Sequence, residues 1–145
     1  MKKALILLLV LVTSAFAFFG CEEEYVFDFD EAVFELADEG LTLEYYNART
    51  GGFLDEVTES FNTDVLICGG DFTVEVTKVA YLNNGSYTDV CVLVEFKTEE
   101  MAKKYAEIRL SDRDPDLTWK IAREGRVVVI TGLEAAMRVI RLEFK

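Results

Sequence analysis

Two stretches in the middle of the chain alternate apolar and polar residues with the period of a β-strand. DFTVEVTKVAYL (71–82) puts Phe72, Val74, Val76, Ala80 and Leu82 on even positions, and YTDVCVLVEF (87–96) puts Val90, Val92, Val94 and Phe96 there. Side chains two apart share a face, so each stretch predicts a strand with an even-numbered core face. In an antiparallel pair the two even sets meet only if opposed residue numbers sum to an even number. A three-residue loop, Asn83-Asn84-Gly85, satisfies that. It opposes Val76 to Val92, Val74 to Val94 and Phe72 to Phe96, and it gives Gly85 the left-handed position such a loop requires. The odd positions, Val79, Tyr81, Cys91 and Leu93, are more apolar than a solvated face needs. Either a helix or the 51–61 segment covers them, or Val79, Tyr81 and Leu93 form a partner face.

The remaining pattern is mostly helical. A first helix is expected from Asp30, with Asp30 as cap, Phe29 and Phe34 spaced as a hydrophobic staple, an apolar face of Val33, Phe34, Leu36 and Ala37, and Gly40 as the stop. LTLEYY (41–46) alternates as a strand. Phe53, Leu54, Val57 and Phe61 have helical spacing within 51–61. Thr98 is placed to cap a helix running to Leu110, with Met101, Tyr105 and Ile108 inward and Lys103 and Lys104 outward. WKIAREGRVVVIT (119–131) predicts a second hairpin. A Glu124-Gly125 turn would set Trp119 against Ile130 and Ile121 against Val128. A last helix is expected from Leu133 to about Leu142, burying Leu133, Ala136, Met137 and Ile140. These elements predict an α+β fold: an antiparallel β-sheet of about five strands, two hairpins plus a first strand, with helices packed on one face.

The N-terminal twenty residues stand apart. Lys2 and Lys3 precede an uncharged apolar run, ALILLLVLVTSAFAFF, that has the length of a signal peptide and its cleavage region and is short for a membrane span. The expected organisation is a signal peptide over 1–20, a short acidic spacer over 21–28 and a single domain over 29–145. Losing Lys2 and Lys3 takes the net charge from −12 to −14. That balance repels phosphate backbones and anionic lipid heads, so no nucleic acid partner is expected.

Gly20-Cys21 resembles the end of a bacterial lipobox, with Phe18 at its Leu position and Phe19 at its small position. The layout of FKTEEMAKKYAE (96–107), a strand running into a charged helix, followed by a hairpin and a final helix, is similar to that of small bacterial lipoproteins. The resemblance implies acylation of Cys21, an anchor in the cell membrane facing the extracellular side or periplasm, and a compact α+β module, but no substrate. The competing signal is Ala15-Phe16-Ala17, a small-x-small site whose use would release a secreted chain.

The candidate chemistry is sparse. The chain has no His, which removes the commonest general base, the commonest transition-metal ligand and the usual partner of a Ser or Cys nucleophile. No catalytic residue, cofactor site or metal site is expected. Asp112, Asp114 and Asp116 alternate as in a calcium loop, but Leu117 and Arg123 stand where that loop needs Gly and Glu. Cys68 and Cys91 could form a disulfide after export only if Gly69-Gly70 folds Cys68 back over the sheet, because a bridge needs Cα atoms within about 7 Å. Two free thiols are the alternative. Tyr45, Tyr46, Tyr81 and Tyr87 could build an aromatic surface. Three functional readings follow: a non-catalytic binding or interaction module, an acidic inhibitor or immunity-type protein acting on a basic protein partner, and a His-free hydrolase dependent on Cys68 or a Ser.

Overall fold

The computed structural model describes residues 26–47, 53–86, 89–112 and 118–145. In chain order these form α1 (Phe29–Asp38), β1 (Thr42–Asn47), α2 (Phe53–Ile67), β2 (Val76–Asn83), β3 (Val90–Phe96), α3 (Glu99–Ser111), β4 (Lys120–Glu124), β5 (Val127–Thr131) and α4 (Glu134–Val139). The strands make a five-stranded antiparallel sheet in the order β1-β2-β3-β5-β4. The α+β class and the strand number are those expected. β3 and β4 both run antiparallel to β5, so they are parallel to each other with β5 between them and α3 as their connection.

The helices cover both faces of the sheet, where the sequence pattern predicted one. On the first face Val76, Val79, Val92, Val94, Phe96, Ile121, Val128 and Ile130 pack under α2 and α3. On the second face Ala80, Leu82, Cys91, Leu93, Val127 and Val129 pack under α1, α4 and the segment carrying Leu142 and Phe144. Val79 and Leu93 are fully buried, on opposite faces. They are therefore core residues and not a partner face; only Tyr81 of that expected set is partly open.

The cause of the discrepancy is a β-bulge. The β2–β3 register shifts between Val76 and Lys78, so Val74 and Val76 share a face with Val79 and Tyr81 instead of with Ala80 and Leu82. One inserted residue reverses the parity of everything beyond it. The register follows: Val79 opposes Val94, Ala80 opposes Leu93, and Asn83 opposes Val90, leaving residues 84–89 as the connection in place of the three-residue loop. Cys91 thus faces Leu82. Gly85 does take the left-handed conformation, at φ +93°. Residues 72–75 are not strand. Val74 instead exchanges two hydrogen bonds with the Asn62 side chain on α2 (2.7 and 3.1 Å), and the Val76 N–H donates to Thr58 Oγ1 (3.1 Å). Side chains of a helix here satisfy backbone groups that a neighbouring strand would otherwise take.

The second hairpin turns on Gly125-Arg126, one position later than expected, and Ile121 opposes Ile130. That slip moves the pairing by two, so each residue keeps its face. Beyond α4, which is shorter than expected, the Lys145 N–H and carbonyl pair with Ile121 at 2.9 and 3.0 Å, closing part of the outer side of β4.

α1 begins two residues earlier than expected. Asp28, not Asp30, is the cap, its Oδ1 accepting from the Glu31 N–H at 2.9 Å. Phe29, Ala32, Val33 and Leu36 form the buried i, i+3, i+4, i+7 set, and Phe34 is left 68% exposed, so no staple forms. Phe27 packs against the second-face cluster, so packed structure already starts inside the expected spacer. Both α1 and α2 end in the same way. Gly40 (φ +92°) and Gly69 (φ +81°) let the following N–H groups reach back to Leu36 and Val65.

Candidate functional site

α2 and α3 lie side by side on the first face and leave a cleft of about 480 Å³ between them and the sheet, within the usual range for a small-molecule site. Its apolar surface comes from Phe61 and Ile67 of α2, Val92 and Ile130 of the sheet, and the rings of Tyr81 and Trp119. Its polar end is held by one cluster. Asp64 accepts from the Arg109 Nη1 at 3.0 Å through one oxygen and from the Tyr105 hydroxyl at 2.6 Å through the other. Tyr105 and Arg109 are four apart on α3, so one helix face presents both to the single acid on α2. Arg109 Nη1 also lies 3.8 Å from Cys68 Sγ, at the end of α2.

Burial dominates the electrostatics of this cluster. Burial, then the Asp64 hydrogen bond, pushes the Tyr105 phenol far above its ordinary value. Burial raises Tyr81 as well. The Cys68 thiol is raised, chiefly by burial, against the pull of Arg109. Protonated thiol is a poor nucleophile. Arg109 Nε is buried and has no hydrogen-bond partner among the described residues. Buried donors are rarely left so, and each such exception asks for an explanation. Asp64→Ala would strip both Tyr105 and Arg109 of their acceptor. The side chains of Asp64 and Arg109 are about one-third exposed, so solvent softens the loss. The expected cost is about 1–3 kcal/mol, read as a lower urea midpoint at unchanged slope.

The other expected residues fall as follows. Cys68 and Cys91 are both free thiols. Cys91 sits in the second-face core, while Cys68 sits beside the first-face cleft, so no bridge joins them. Burial pushes the Cys91 thiol up to about 12. A thiol reagent at neutral pH should therefore label Cys68 slowly and Cys91 only after unfolding. Unfolded, non-reduced protein should show two reactive thiols besides Cys21; fewer would restore the bridge.

Tyr45 stacks on Phe53 and meets Tyr81 edge-on, each at 5.5 Å, so these rings form the wall beyond the cleft. Tyr46 lies on the other face, where its hydroxyl donates to Asp30; Lys78 holds the same carboxylate at 2.9 Å. These contacts, with Tyr46 first, lower the pKa of Asp30. The expected signal peptide 1–20, the lipidation site Cys21, the Ala17 cut, Gly51, Tyr87, Asp114 and Asp116 lie outside the described residues. Of the cleft, the sequence pattern singled out Tyr81 alone. The i, i+4 pair Tyr105 and Arg109 was its one further legible trace.

A second groove, of about 400 Å³ between α1 and α4, is lined by Glu35, Asp38, Glu39, Arg138 and Arg141 and is an ordinary charged surface. Comparisons with protein-family models, with curated proteins and with solved structures each found no match to this chain.

Proposed function

We propose that the protein is an exported, lipid-anchored, non-catalytic binding module of the cell envelope, tethered at Cys21 and holding a small ligand in the cleft between α2 and α3. The observation that carries this reading is the character of the cleft walls. They offer a wide apolar and aromatic surface. Among the described residues their one carboxylate, Asp64, has a donor on each oxygen. Their phenols, Tyr81 and Tyr105, are pushed towards the protonated form. Among the described residues, these walls favour binding and orienting a ligand over moving a proton. The tether rests on Gly20-Cys21 after the apolar leader.

Two measurements test the reading. The intact mass of the exported chain should correspond to a start at Cys21 with added acyl groups; a chain starting at Phe18 without acyl mass would remove the anchor. Native mass spectrometry of protein extracted from its own membranes should show a bound small molecule that is lost when the cleft is filled by Val92→Trp.

A second reading has its own observation. Between Glu22 and Glu75 the sequence holds sixteen acidic residues and one basic residue, Arg49. In the fold this stretch includes α1, β1 and α2, with β1 at one edge of the sheet and the two helices on either side of β2. That acidic pole suits a basic protein partner, as an inhibitor or immunity-type protein would use it. Such a complex should dissociate as salt screens the charges; co-purification that survives high salt counts against it.

A further inference from the structure

The hydrogen-bonding capacity of the cleft is lopsided, and the imbalance indicates what it takes. On the acceptor side, each Asp64 oxygen already holds one donor, Arg109 or Tyr105, and the remaining side-chain acceptors are the exposed hydroxyls of Ser60 and Thr63. The donor side is less committed. Arg109 uses Nη1 on Asp64 and Cys68, its Nε has no partner, and its Nη2 makes no hydrogen bond among the described residues. The Tyr81 hydroxyl and the Trp119 indole N–H, which line the same cleft, likewise make none there. Arg109 through its Nη2, Tyr81 and Trp119 thus line one space with donors that make no hydrogen bond among the described residues, beside a surface of Phe61, Val92 and Ile130. A neutral ion pair, not a net charge, lies behind them, so the preference is for acceptor atoms on an apolar body.

Resting on the cleft reading above, we infer that the site selects a small molecule with a flat apolar body and an acceptor head group, such as a carboxylate, sulfonate or carbonyl, seated on Arg109 with Tyr81 and Trp119 at its edge. A cation would have to share Asp64 with Arg109 and Tyr105. A purely apolar molecule would leave the donors unpaired at a dry interface, which costs more than never forming the bonds.

Trp119 is the only tryptophan of the chain, so its emission reports this cleft and nothing else. Two dyes share one ring system and both accept energy from tryptophan: anilinonaphthalene sulfonate, which carries an acceptor head, and phenylnaphthylamine, which lacks it. They would be titrated into the chain from Glu22 onward, which contains every core contact described above. The sulfonate dye should quench Trp119 at one equivalent and bind about tenfold or more tighter than the neutral dye, the effect of one charge-assisted hydrogen bond. Arg109→Lys, with a compact point charge in place of the planar fork, and Tyr81→Phe should each weaken the sulfonate dye more than the neutral dye and so shrink that ratio. Circular dichroism of each variant checks that it is folded, and the comparison of the two dyes on the unmutated protein needs no variant. Equal affinities for the two dyes would overturn the acceptor preference and leave the cleft reading standing. No energy transfer from Trp119 to either dye would overturn both.

Discussion

Val79→Asp and Leu93→Asp should each unfold the protein. Both side chains are fully buried, Val79 beneath α2 and α3 and Leu93 beneath α1 and α4. No Lys or Arg is among the buried described residues, so neither site has a buried cation to pair with a new carboxylate. Burying an unpaired charge costs several kcal/mol even after relaxation, against a total stability of about 5–15 kcal/mol for a domain of this kind. The pair of substitutions is more informative than either alone. In a sheet covered on one side, one of the two would point to water and be tolerated. Here far-UV circular dichroism should show loss of structure for both, or an unfolding midpoint near zero urea. Retention of native stability by one of them would mean that its face is open.

Phe96→Ala should cost about 3–5 kcal/mol, the range for deleting a fully buried aromatic ring. Phe96 is the centre of three rings. It meets Phe61 of α2 edge-on at 5.8 Å and Tyr105 of α3 at 5.1 Å, and those two lie 5.2 Å from each other. Aromatic pairs in such tilted geometries add to the burial itself. The loss should appear as a lower urea midpoint, with Phe96→Leu costing less because it leaves a smaller cavity. The two outer rings also line the cleft. Phe96→Leu should therefore loosen the binding of the neutral dye even where the fold survives. Equal dye affinity in Phe96→Leu and the unmutated protein would separate the core triad from the site.

Much of this architecture was legible because burial leaves a periodic trace. The strands announced themselves by alternation. The second hairpin kept its faces through a register slip because the slip moved the pairing by two. Thr98 was readable as a cap, and its Oγ1 does accept from the Met101 N–H at 3.2 Å. What failed, failed where one residue outweighs a pattern. The bulge between Val76 and Lys78 reverses parity, and nothing in the run VEVTKVAYL marks the residue that is inserted. The excess of apolar residues on odd positions of that run was the visible consequence, and a buried second face is its cause. α1 was misplaced because Asp28 and Asp30 are equally able to cap; the buried Phe29 decides between them by its packing on the second core.

The candidate site was less legible than the fold. Asp64, the Tyr105–Arg109 pair and Trp119 lie on three different parts of the chain, and Asp64 and Arg109 each have an ordinary solvent-facing alternative. Asp64 belongs to a helix with several exposed acids, and Arg109 to one with two exposed lysines, Lys103 and Lys104. Only the approach of α2 to α3, fixed by Phe61, Phe96 and Tyr105, turns these residues into one cluster. A pairing created by helix packing has no signature in local spacing.

The two outer strands of the sheet are finished by different devices, and together they bear on how the protein behaves when concentrated. On β4, Lys145 occupies the outer hydrogen-bonding groups of Ile121. On β1, the register breaks between Leu43 and Tyr45, and the exposed Glu44 stands at the break. A bent, charged border makes a poor template for another chain, and an occupied one offers little to copy. The molecule is thus guarded against growing by sheet extension into fibrils. Truncating residues 141–145 would remove that guard from β4 and uncover part of the second-face core under Leu142 and Phe144, so the shortened chain should lose solubility well before it loses its fold.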